Sequence, residues 1–460
     1  MSTAGTDVDV EVEMVGADPA EDRNDEETDD RARVLDAAHR CVDLLVRTAI
    51  IDGSGRPTWP TWEMGPDGPL GVVAGRRSLY DGDAGVVWAL TRLGTALHRP
   101  DAAELAASGV AALRQTRPTG EGAPAGLLVG EAGVDLLGRD GRGSTQRWSD
   151  GSDLTDGLAG ILLSLAQNRR REDHAARIVA ELRDRSRAEV WGRSWPDHRL
   201  EGDAARPLCG LAHGASGVAW ALAEAAAVWP SLASAALELA DEALAWESTW
   251  SEPARGGWPD LREGDVTWPD LWCHGAAGAG AVRLRLLELD ADGLDVPWSL
   301  DTTRAEAELA VQRCGRAMSD AAEQAVVSGV EMVAGGWTLC HGAGGPAGVV
   351  SLAADVFDVP EHRAQAMAAA AAFVSAAPVD PGDWPSGLRG ADGDVSLLTG
   401  VAGTAVLLAD LALPGSVPAL VLLGAGGVRA GSGAAASAPA GALASAPRGV
   451  SPRVVASPRG

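Results

Sequence analysis

The sequence lacks lysine altogether. All 38 of its basic residues are arginine, and 64 aspartate and glutamate residues give a formal net charge of -26 at pH 7. A chain with this balance is repelled by nucleic acids and by anionic membranes, so we expect neither as a partner. No apolar run approaches the ~18 residues of a membrane span, and the N-terminus is acidic where a signal peptide would be basic. These absences predict a protein of the cytoplasm without a membrane span.

Cysteine is also scarce, with five residues in a chain of 460. They are Cys41, Cys209, Cys273, Cys314 and Cys340. An odd number of widely spaced cysteines in a large chain is typical of reduced thiols or metal ligands and not of a disulfide framework. The hydrophobic content of 46% is sufficient for a core, and the length suits one large domain or two ordinary ones.

The two ends of the chain differ in composition from its middle. Residues 1–30 hold twelve carboxylates, one arginine and little apolar content, which predicts a disordered acidic arm. Such an arm is either a solubilising tail or a docking arm. Residues 424–460 are rich in Gly, Ala, Ser and Pro, which predicts a disordered tail. The folded domain is therefore predicted to occupy 31–423, with its first helix within 31–50.

One short pattern recurs through the predicted domain: two glycines separated by two residues, usually followed by an apolar run. The seven copies, called glycine boxes below, lie at 82–85, 130–133, 157–160, 214–217, 275–278, 342–345 and 400–403. Amphipathic stretches lie between them, at 102–115, 171–185, 232–246, 303–327 and 362–375. A helix that is apolar nearly all round needs neighbours on every side. We therefore predict an all-α fold, an α/α toroid of alternating inner and outer helices with seven glycine-box repeats.

Sixteen tryptophans contrast with one tyrosine and two phenylalanines. Many of them precede the glycine boxes, at Trp148, Trp191, Trp195, Trp258, Trp268, Trp272, Trp337 and Trp384. Two interpretations are open. The rings pack the loops, or they wall the end of the toroid at which the boxes open and grip a peptide there.

Two boxes are directly preceded by a thiol and an imidazole side by side, in Trp272-Cys273-His274-Gly275 and Leu339-Cys340-His341-Gly342. They are called the Cys273 box and the Cys340 box below. Zinc favours thiolate and imidazole ligands, and three protein ligands with one open position define a catalytic zinc site. Cys273, Cys340 and His341 would supply that set, because both boxes occupy equivalent points of the repeat. The alternative is a pair of buried thiols beside capping histidines.

Two further polar residues occupy box positions: Asp153 ahead of Gly157, and His213 directly before Gly214. If the helix starts converge, a carboxylate and an imidazole face the metal set, and a histidine oriented by a carboxylate is suited to acid/base catalysis near neutral pH. The alternative is structural, with Asp153 capping a helix and His213 satisfied within its loop.

Over about residues 75–423 the chain resembles the lanthionine synthetase C-like family, the lanthipeptide cyclases. The resemblance is carried by Ser78-Leu79-Tyr80-Asp81-Gly82, the Asp153 box, Leu211-Ala212-His213-Gly214, the two Cys-His boxes, Leu398-Thr399-Gly400-Val401-Ala402-Gly403 and Val417-Pro418-Ala419-Leu420. It implies an α/α toroid with zinc near one end of the central cavity. On the matching positions it implies that Cys273, Cys340 and His341 bind zinc, with His213 and Asp153 as the acid/base pair.

The reaction that the resemblance implies is thioether formation in a dehydrated precursor peptide. Zinc lowers the pKa of a peptide cysteine from its usual ~8.5, and the thiolate adds to dehydroalanine or dehydrobutyrine to close a lanthionine ring. His213 would either take the thiol proton or deliver one to the enolate, and Asp153 would orient it. The chain has no room for a large dehydratase domain, so a separate dehydratase is expected.

Two positions depart from the family pattern. Pro269 stands where some members carry an arginine four residues before the first zinc cysteine. His274 follows that cysteine where some members have tyrosine, so His274 is either a second catalytic acid or only a box residue.

Three functions are weighed. The first is a zinc-dependent lanthipeptide cyclase. The second is a non-catalytic toroid that binds a modified peptide and scaffolds a biosynthetic complex, which Pro269 favours and the intact ligand set disfavours. The third is another helical-barrel enzyme. A glycosidase needs two facing carboxylates, of which only Asp153 stands out, and a prenyl-binding cavity would be expected to be rich in Phe and Tyr.

Overall fold

The computed structural model describes residues 19–425, with gaps at 66, 117–123, 139–147, 201–204 and 263–265. The described residues form thirteen α-helices and three two-stranded antiparallel sheets. Seven helices are buried in the centre: α2 (Asp83–Ala96), α4 (Glu131–Val134), α5 (Leu158–Asn168), α7 (Ala215–Val228), α9 (Ala276–Ala291), α11 (Gly344–Phe357) and α13 (Val401–Ala412). Six lie outside them: α1 (Pro19–Arg47), α3 (Pro100–Gln115), α6 (Glu172–Arg185), α8 (Ala233–Ser248), α10 (Leu300–Ser328) and α12 (Pro360–Ala376).

The inner helices close into a ring. Each packs on the next in the order α5, α7, α9, α11, α13 and α2, and the short helix α4 with its following 3-10 turn (Asp135–Leu137) joins α2 to α5. These helices are buried nearly all round, as in α7, where apolar side chains face every direction. The predicted all-α toroid is therefore the observed fold.

Every glycine box lies at the start of an inner helix, and the second glycine explains why. In each box, a Cβ on that glycine would overlap the carbonyl oxygen six residues earlier, because the loop folds back over the first helical turn. Only glycine allows this close approach of two backbone segments. The second box begins no more than one α-helical turn, α4, so this unit is shorter than the others.

Each outer helix packs on an inner helix beside it: α3 on α2, α6 on α5, α8 on α7, α10 on α9 and α12 on α11. The first helix of the chain, α1, packs on the last inner helix, α13, and also on α12. The sequence predicted the five later outer stretches to within a few residues, and α1 as a helix.

The acidic arm predicted for residues 1–30 is wrong in part, because α1 begins at Pro19. Within α1, Arg31 lies 4.0 Å from Glu27 and Arg33 pairs with Asp30 at 2.6 Å, both one turn apart along the helix. Residues 1–18 lie outside the described residues. Residues 426–460 of the predicted tail also lie outside the described residues. The first two residues of that tail, Gly424 and Ala425, are packed against the fold.

Strands are minor elements that the sequence did not predict. Ile50–Ile51 (β1) pairs with Pro57–Thr58 (β2), Pro60–Gly65 (β3) with Gly68–Ala74 (β4), and Arg187–Ala188 (β5) with Arg193–Ser194 (β6). The β3–β4 hairpin reaches the loop before the last glycine box, where Trp62 Nε1 donates to the Asp392 carbonyl at 3.1 Å. Within the described residues, no helix combines the length and the hydropathy needed to cross a bilayer.

The C-terminal segment packs across the inner ring. Its 3-10 turn, Leu420–Leu422, contacts α9, α11 and α13. Trp272 Nε1 donates to the Val421 carbonyl at 2.9 Å, and the Val421 side chain lies against Gly348 of α11. The segment therefore ties the first Cys-His box to the centre of the ring.

Candidate metal centre

A ring of backbone hydrogen bonds joins the glycine boxes. In six of the seven boxes the residue two positions before the first glycine donates its amide to the carbonyl of the equivalent residue in the next box, at 2.8 to 3.2 Å. The series runs Tyr80 to Leu128, Thr155, Ala212 and Cys273, and then from Cys340 to Leu398 and back to Tyr80. Between Cys273 and Cys340 the link is different, with Cys273 Sγ 3.6 Å from the Cys340 carbonyl oxygen. The ring is thus interrupted at the two cysteines.

The predicted metal ligands come together at this interruption. One ligand atom from each of Cys273, Cys340 and His341 lies within 4.8 Å of the others. Both cysteines are buried and His341 is half-buried. Two thiols and an imidazole are a donor set that fits a soft or borderline divalent metal such as zinc. The three residues are therefore able to hold one ion.

A hydrogen bond orients the imidazole of His341. Its Nδ1 lies 2.8 Å from the Gly387 carbonyl oxygen. A carbonyl only accepts, so Nδ1 donates its N–H there, and Nε2 is the nitrogen left for a metal ion. This arrangement of ligand and outer partner is usual for metal-binding histidines. No motif in the sequence singles out Gly387.

The pKa values of the two thiols are shifted in opposite directions. The hydrogen bond from Cys340 lowers the pKa of Cys273 well below its usual value despite burial, and His341 adds to the effect. Burial and then the neighbouring Cys273 raise the pKa of Cys340 well above its usual value. The N-termini of the inner helices also converge at this end of the ring, which favours negative charge. The pocket is therefore built for at least one thiolate.

Tyr80, the single tyrosine of the chain, is a member of this site that the sequence did not predict. Its hydroxyl lies 3.5 Å from Cys340 Sγ, and burial raises its pKa well above the usual value, so it stays a hydrogen-bond donor. The available signal was positional: Tyr80 stands two residues before its box glycine, as Cys273 and Cys340 do.

The predicted pair of His213 and Asp153 is also present. His213 Nδ1 lies 2.7 Å from Asp153 Oδ2, while Asp153 Oδ1 accepts from the amides of Asp156 at 3.0 Å and Gly157 at 3.1 Å. Burial acts to raise the pKa of Asp153, but the bonds from His213 and Asp156 outweigh it and leave the pKa below its usual value. Asp153 therefore fixes its own loop, as the structural interpretation predicts, and it also orients His213; the acid/base role of the pair stays a prediction.

The other imidazole nitrogen of His213 faces an arginine. Arg199 Nη1 lies 3.3 Å from His213 Nε2. A guanidinium has only donors, so His213 Nε2 accepts this hydrogen bond. The proton of the neutral imidazole is therefore on Nδ1, which donates a hydrogen bond to Asp153.

His274 joins the two groups into one site. It follows Cys273 directly and stacks on His213, with ring centroids 5.9 Å apart and an interplanar angle of 26°. Its Nδ1 is buried without a hydrogen-bond partner in the described residues, and burial lowers its pKa to about 4. His274 is therefore neutral at pH 7, which weighs against its use as an acid there.

A buried ion network holds the His213 box in place. Glu247 of α8 accepts from the amides of Gly210 at 2.7 Å and Ser216 at 3.1 Å, on either side of His213. Arg283 of α9 pairs with Glu247 at 2.5 Å and with Glu306 at 2.9 Å. The loop that carries His213 is thus anchored to three helices.

Most of the tryptophans before the boxes pack the loops. Five of the eight are buried: Trp195, Trp258, Trp272, Trp337 and Trp384. Trp148 and Trp191 are exposed, and Trp268 is half-buried. For the five buried rings the packing interpretation is correct.

A profile of the family described as lanthionine synthetase C-like protein matches residues 73–422. The chain belongs to the lanthionine synthetase C-like family. No curated protein matches its sequence significantly. Among solved structures it is similar to nisin cyclase, at 16% identity and a TM-score of 0.50, over 73% of this chain and 88% of that one. It is also similar to a polysaccharide lyase, at 11% identity and a TM-score of 0.42, over 83% of this chain and 96% of that one.

The likeness to nisin cyclase shows that this lanthionine synthetase C-like chain shares its fold. The family match includes all seven glycine boxes and both predicted groups of site residues. It does not include α1, although this outer helix packs on the last inner helix, α13, and on α12.

Proposed function

We propose that this lanthionine synthetase C-like protein is a zinc-dependent lanthipeptide cyclase. It adds cysteine thiols of a dehydrated precursor peptide to dehydroalanine or dehydrobutyrine in the same peptide and forms lanthionine thioether rings. One observation carries the proposal: His274 and His213 are stacked, so the Cys273, Cys340 and His341 set lies directly beside the His213–Asp153 pair. A thiol-activating group and a proton-transfer group are thus adjacent.

The metal is inferred to be zinc. Cys273, Cys340 and His341 would hold it, and three protein ligands leave a position free for a substrate thiol. Zinc, when bound, supplies charge that lowers the pKa of that thiol, so that the nucleophile is present at neutral pH. Two hydrogen bonds within the protein orient the proposed ligands: Tyr80 donates to Cys340, and the Gly387 carbonyl accepts from His341.

His213 is the proposed proton-transfer residue. In the neutral tautomer its Nε2 carries a lone pair, which accepts from Arg199 Nη1 at 3.3 Å. When Arg199 turns away from it, that nitrogen first accepts the thiol proton and then delivers a proton to the α-carbon. Asp153 stabilises the imidazolium that forms between the two steps, because its Oδ2 lies 2.7 Å from Nδ1. His274 is proposed to position His213 by stacking.

The test uses a synthetic peptide with one cysteine and one dehydroalanine. Ring closure does not change the mass, so N-ethylmaleimide is added after incubation and mass spectrometry counts the remaining free thiols. We expect the native protein to protect the thiol in many turnovers and the Cys340→Ala variant to leave it reactive. Equal labelling with both proteins would refute the cyclase.

A non-catalytic scaffold is the second candidate, and Pro269 is the observation that favours it. It predicts that the peptide binds but that its thiol is never protected beyond the amount of protein present. A separate dehydratase and a cytoplasmic location complete the proposal. The five free cysteines support a reducing compartment.

A further inference from the structure

A five-residue sequence, Trp-Pro-Asp-x-Arg, occurs twice in the chain. The first copy is Trp195-Pro196-Asp197-His198-Arg199, ahead of the His213 box, and the second is Trp258-Pro259-Asp260-Leu261-Arg262, ahead of the Cys273 box. We call these the two straps. Both straps lie outside the glycine boxes that define the repeat.

Both straps fold into the same local lock. In the first, Asp197 accepts from Arg199 through the amide at 3.0 Å, Nε at 2.8 Å and Nη2 at 2.6 Å. In the second, Asp260 accepts from Arg262 through the amide at 3.0 Å, Nε at 3.0 Å and Nη2 at 2.6 Å. A guanidinium held through Nε and Nη2 keeps both N–H groups of Nη1, and one N–H of Nη2, outside the lock, and this is so in both straps.

The tryptophans anchor the straps to the ring. Trp195 Nε1 donates to the Leu182 carbonyl at 2.8 Å, and Trp258 is buried with the Arg283 guanidinium 4.7 Å from its ring. Gly257 lies against Ala276, the residue that begins α9 directly after the Cys273 box. Each strap is therefore anchored to the ring, and the second strap packs directly beside the Cys273 box.

A third Trp-Pro-Asp shows what the arginine adds. In Trp268-Pro269-Asp270 the position of the arginine is Trp272, and Asp270 pairs instead with Arg313 of α10. That copy fastens the loop to an outer helix and presents no cation to the site. The lock on the strap's own arginine is thus a property of the two complete copies.

The two Nη1 groups have different surroundings. Arg199 Nη1 donates a hydrogen bond to His213 Nε2 at 3.3 Å. The second strap packs through Gly257 on Ala276, directly after the Cys273 box, and the positive charge of Arg262 acts to lower the pKa values of His274, Cys340 and His341. In the part of the chain that the structure describes, its Nη1 has no hydrogen-bond partner, and about half of its side chain, 49%, is exposed. An oriented donor is thus available to a ligand beside the metal set.

We propose that Arg262 Nη1 donates a hydrogen bond to the carbonyl oxygen of the dehydroamino acid during addition. This inference rests on the proposed function. As the S–C bond forms at the β-carbon, the electron pair of the C=C bond moves toward the carbonyl and gives an enolate oxygen. The pair returns when the α-carbon takes up a proton equivalent to the one that the thiol lost. Arg262 stabilises the oxyanion between these steps, and Asp260 positions Arg262.

The experiment compares Arg262→Gln, Arg262→Lys and Asp260→Asn with the matched control Arg304→Gln, which removes a half-exposed arginine from the outer helix α10. The thiol-protection assay gives kcat and KM, and elemental analysis gives zinc per chain. Loss of one oxyanion donor costs about 100-fold in kcat. We expect that loss in Arg262→Gln, with KM and zinc unchanged, and a partial recovery in Arg262→Lys.

Asp260→Asn should lower kcat by about 10-fold, since it loosens the donor without removing it. Arg304→Gln should match the native protein. In Arg262→Ala, millimolar guanidinium should restore part of the lost kcat, which a structural role would not predict.

Three results would overturn the inference while leaving the cyclase intact: native kcat in Arg262→Gln, loss of zinc together with activity in that variant, or an equal loss in Arg304→Gln. An inactive native protein would instead refute the proposed function, and the inference with it.

Discussion

Cys273 Sγ lies 3.6 Å from the carbonyl oxygen of Cys340, at the point where the ring of backbone hydrogen bonds between the glycine boxes is interrupted. The neighbouring links, from Ala212 to Cys273 and from Cys340 to Leu398, fix both loops from their outer sides. The two thiols are thus held facing each other by the protein backbone. Such preorganisation lowers the cost of binding an ion.

Zinc should accordingly bind without reorganising the fold. Protein purified without added metal is expected to contain about one zinc ion per chain, as three protein ligands at one site predict. Cys340→Ala should contain almost none, and its far-ultraviolet circular dichroism should match that of the native protein. The control is Cys314→Ala, a buried cysteine of α10 away from the site, which should keep its zinc. Equal zinc in Cys340→Ala and the native protein would refute the ligand assignment.

Asp153→Asn should damage proton transfer while leaving metal binding intact. An asparagine still accepts from the Asp156 and Gly157 amides, but its NH2 group toward His213 Nδ1 favours the wrong imidazole tautomer. A comparable change in a catalytic triad costs roughly 10,000-fold, and we expect a loss in kcat between about 100-fold and 10,000-fold here. The exposed neighbour Asp150→Asn is the control. A kcat within threefold of native, with zinc retained, would remove Asp153 from the mechanism.

The fold was largely predictable because the glycine box and the apolar run after it recur along the sequence. Glycine is required at each box by a close backbone approach, as Gly278 against the Trp272 carbonyl shows, and the apolar run that follows marks a buried helix. The sequence did not reveal that α1 pairs with α13, since no local pattern encodes a contact across more than 350 residues. The acids before Arg31 resembled a disordered segment because composition does not record helical ion pairs.

The site was predictable to a similar degree. Residue type and equivalent position in the repeat predicted Cys273, Cys340 and His341 as metal ligands, and position ahead of a glycine box predicted Asp153 and His213 as the acid/base pair. Tyr80 and Arg262 were missed for different reasons. Tyr80 acts through one hydroxyl on a loop whose register only the ring of hydrogen bonds reveals. Arg262 is one of 38 arginines, and its lock on Asp260 is visible only in three dimensions.

Gly275→Ala should disrupt the Cys273 box through a steric clash. Gly275 has a φ of 100°, and a Cβ there would overlap the Pro269 carbonyl. Gly293→Ala is a matched control, because its φ is 96° and nothing lies within 4 Å of the added atom. The strained backbone alone costs on the order of 1 kcal/mol, so both variants lose that much stability in urea unfolding. Gly275→Ala should lose at least twice as much, together with its zinc, and equal losses would contradict the clash.

Asp83 should make the stability of the protein fall between about pH 4 and pH 6. Burial raises its pKa to about 6, even though its carboxylate accepts from Thr58 Oγ1 and the Trp59 amide. In the unfolded chain its pKa is about 3.9. The folded state therefore binds the proton more tightly, so this contribution to stability is fully present below about pH 4 and is lost as pH rises through about 6.

The size of that loss is on the order of 2 to 3 kcal/mol, from the difference between the two pKa values. Urea unfolding at pH 4.5 and pH 7 measures it. Asp83→Asn should be less destabilised than the native protein on going from pH 4.5 to pH 7, and the difference between the two proteins removes the effect of other groups, such as His274. Parallel pH profiles would show that Asp83 does not titrate in this range.

The pairing of α1 with α13 also dictates the order of events during biosynthesis. While the chain is being made, α1 has no partner on one side until residues 401–412 leave the ribosome, so its apolar face, with Val34 and Leu45, stays accessible. Long-range docking of this kind is slow and exposes hydrophobic surface to aggregation. We therefore expect the nascent protein to stay an open arc until α13 is made, because the ring closes only when α13 packs on α2 and on α1.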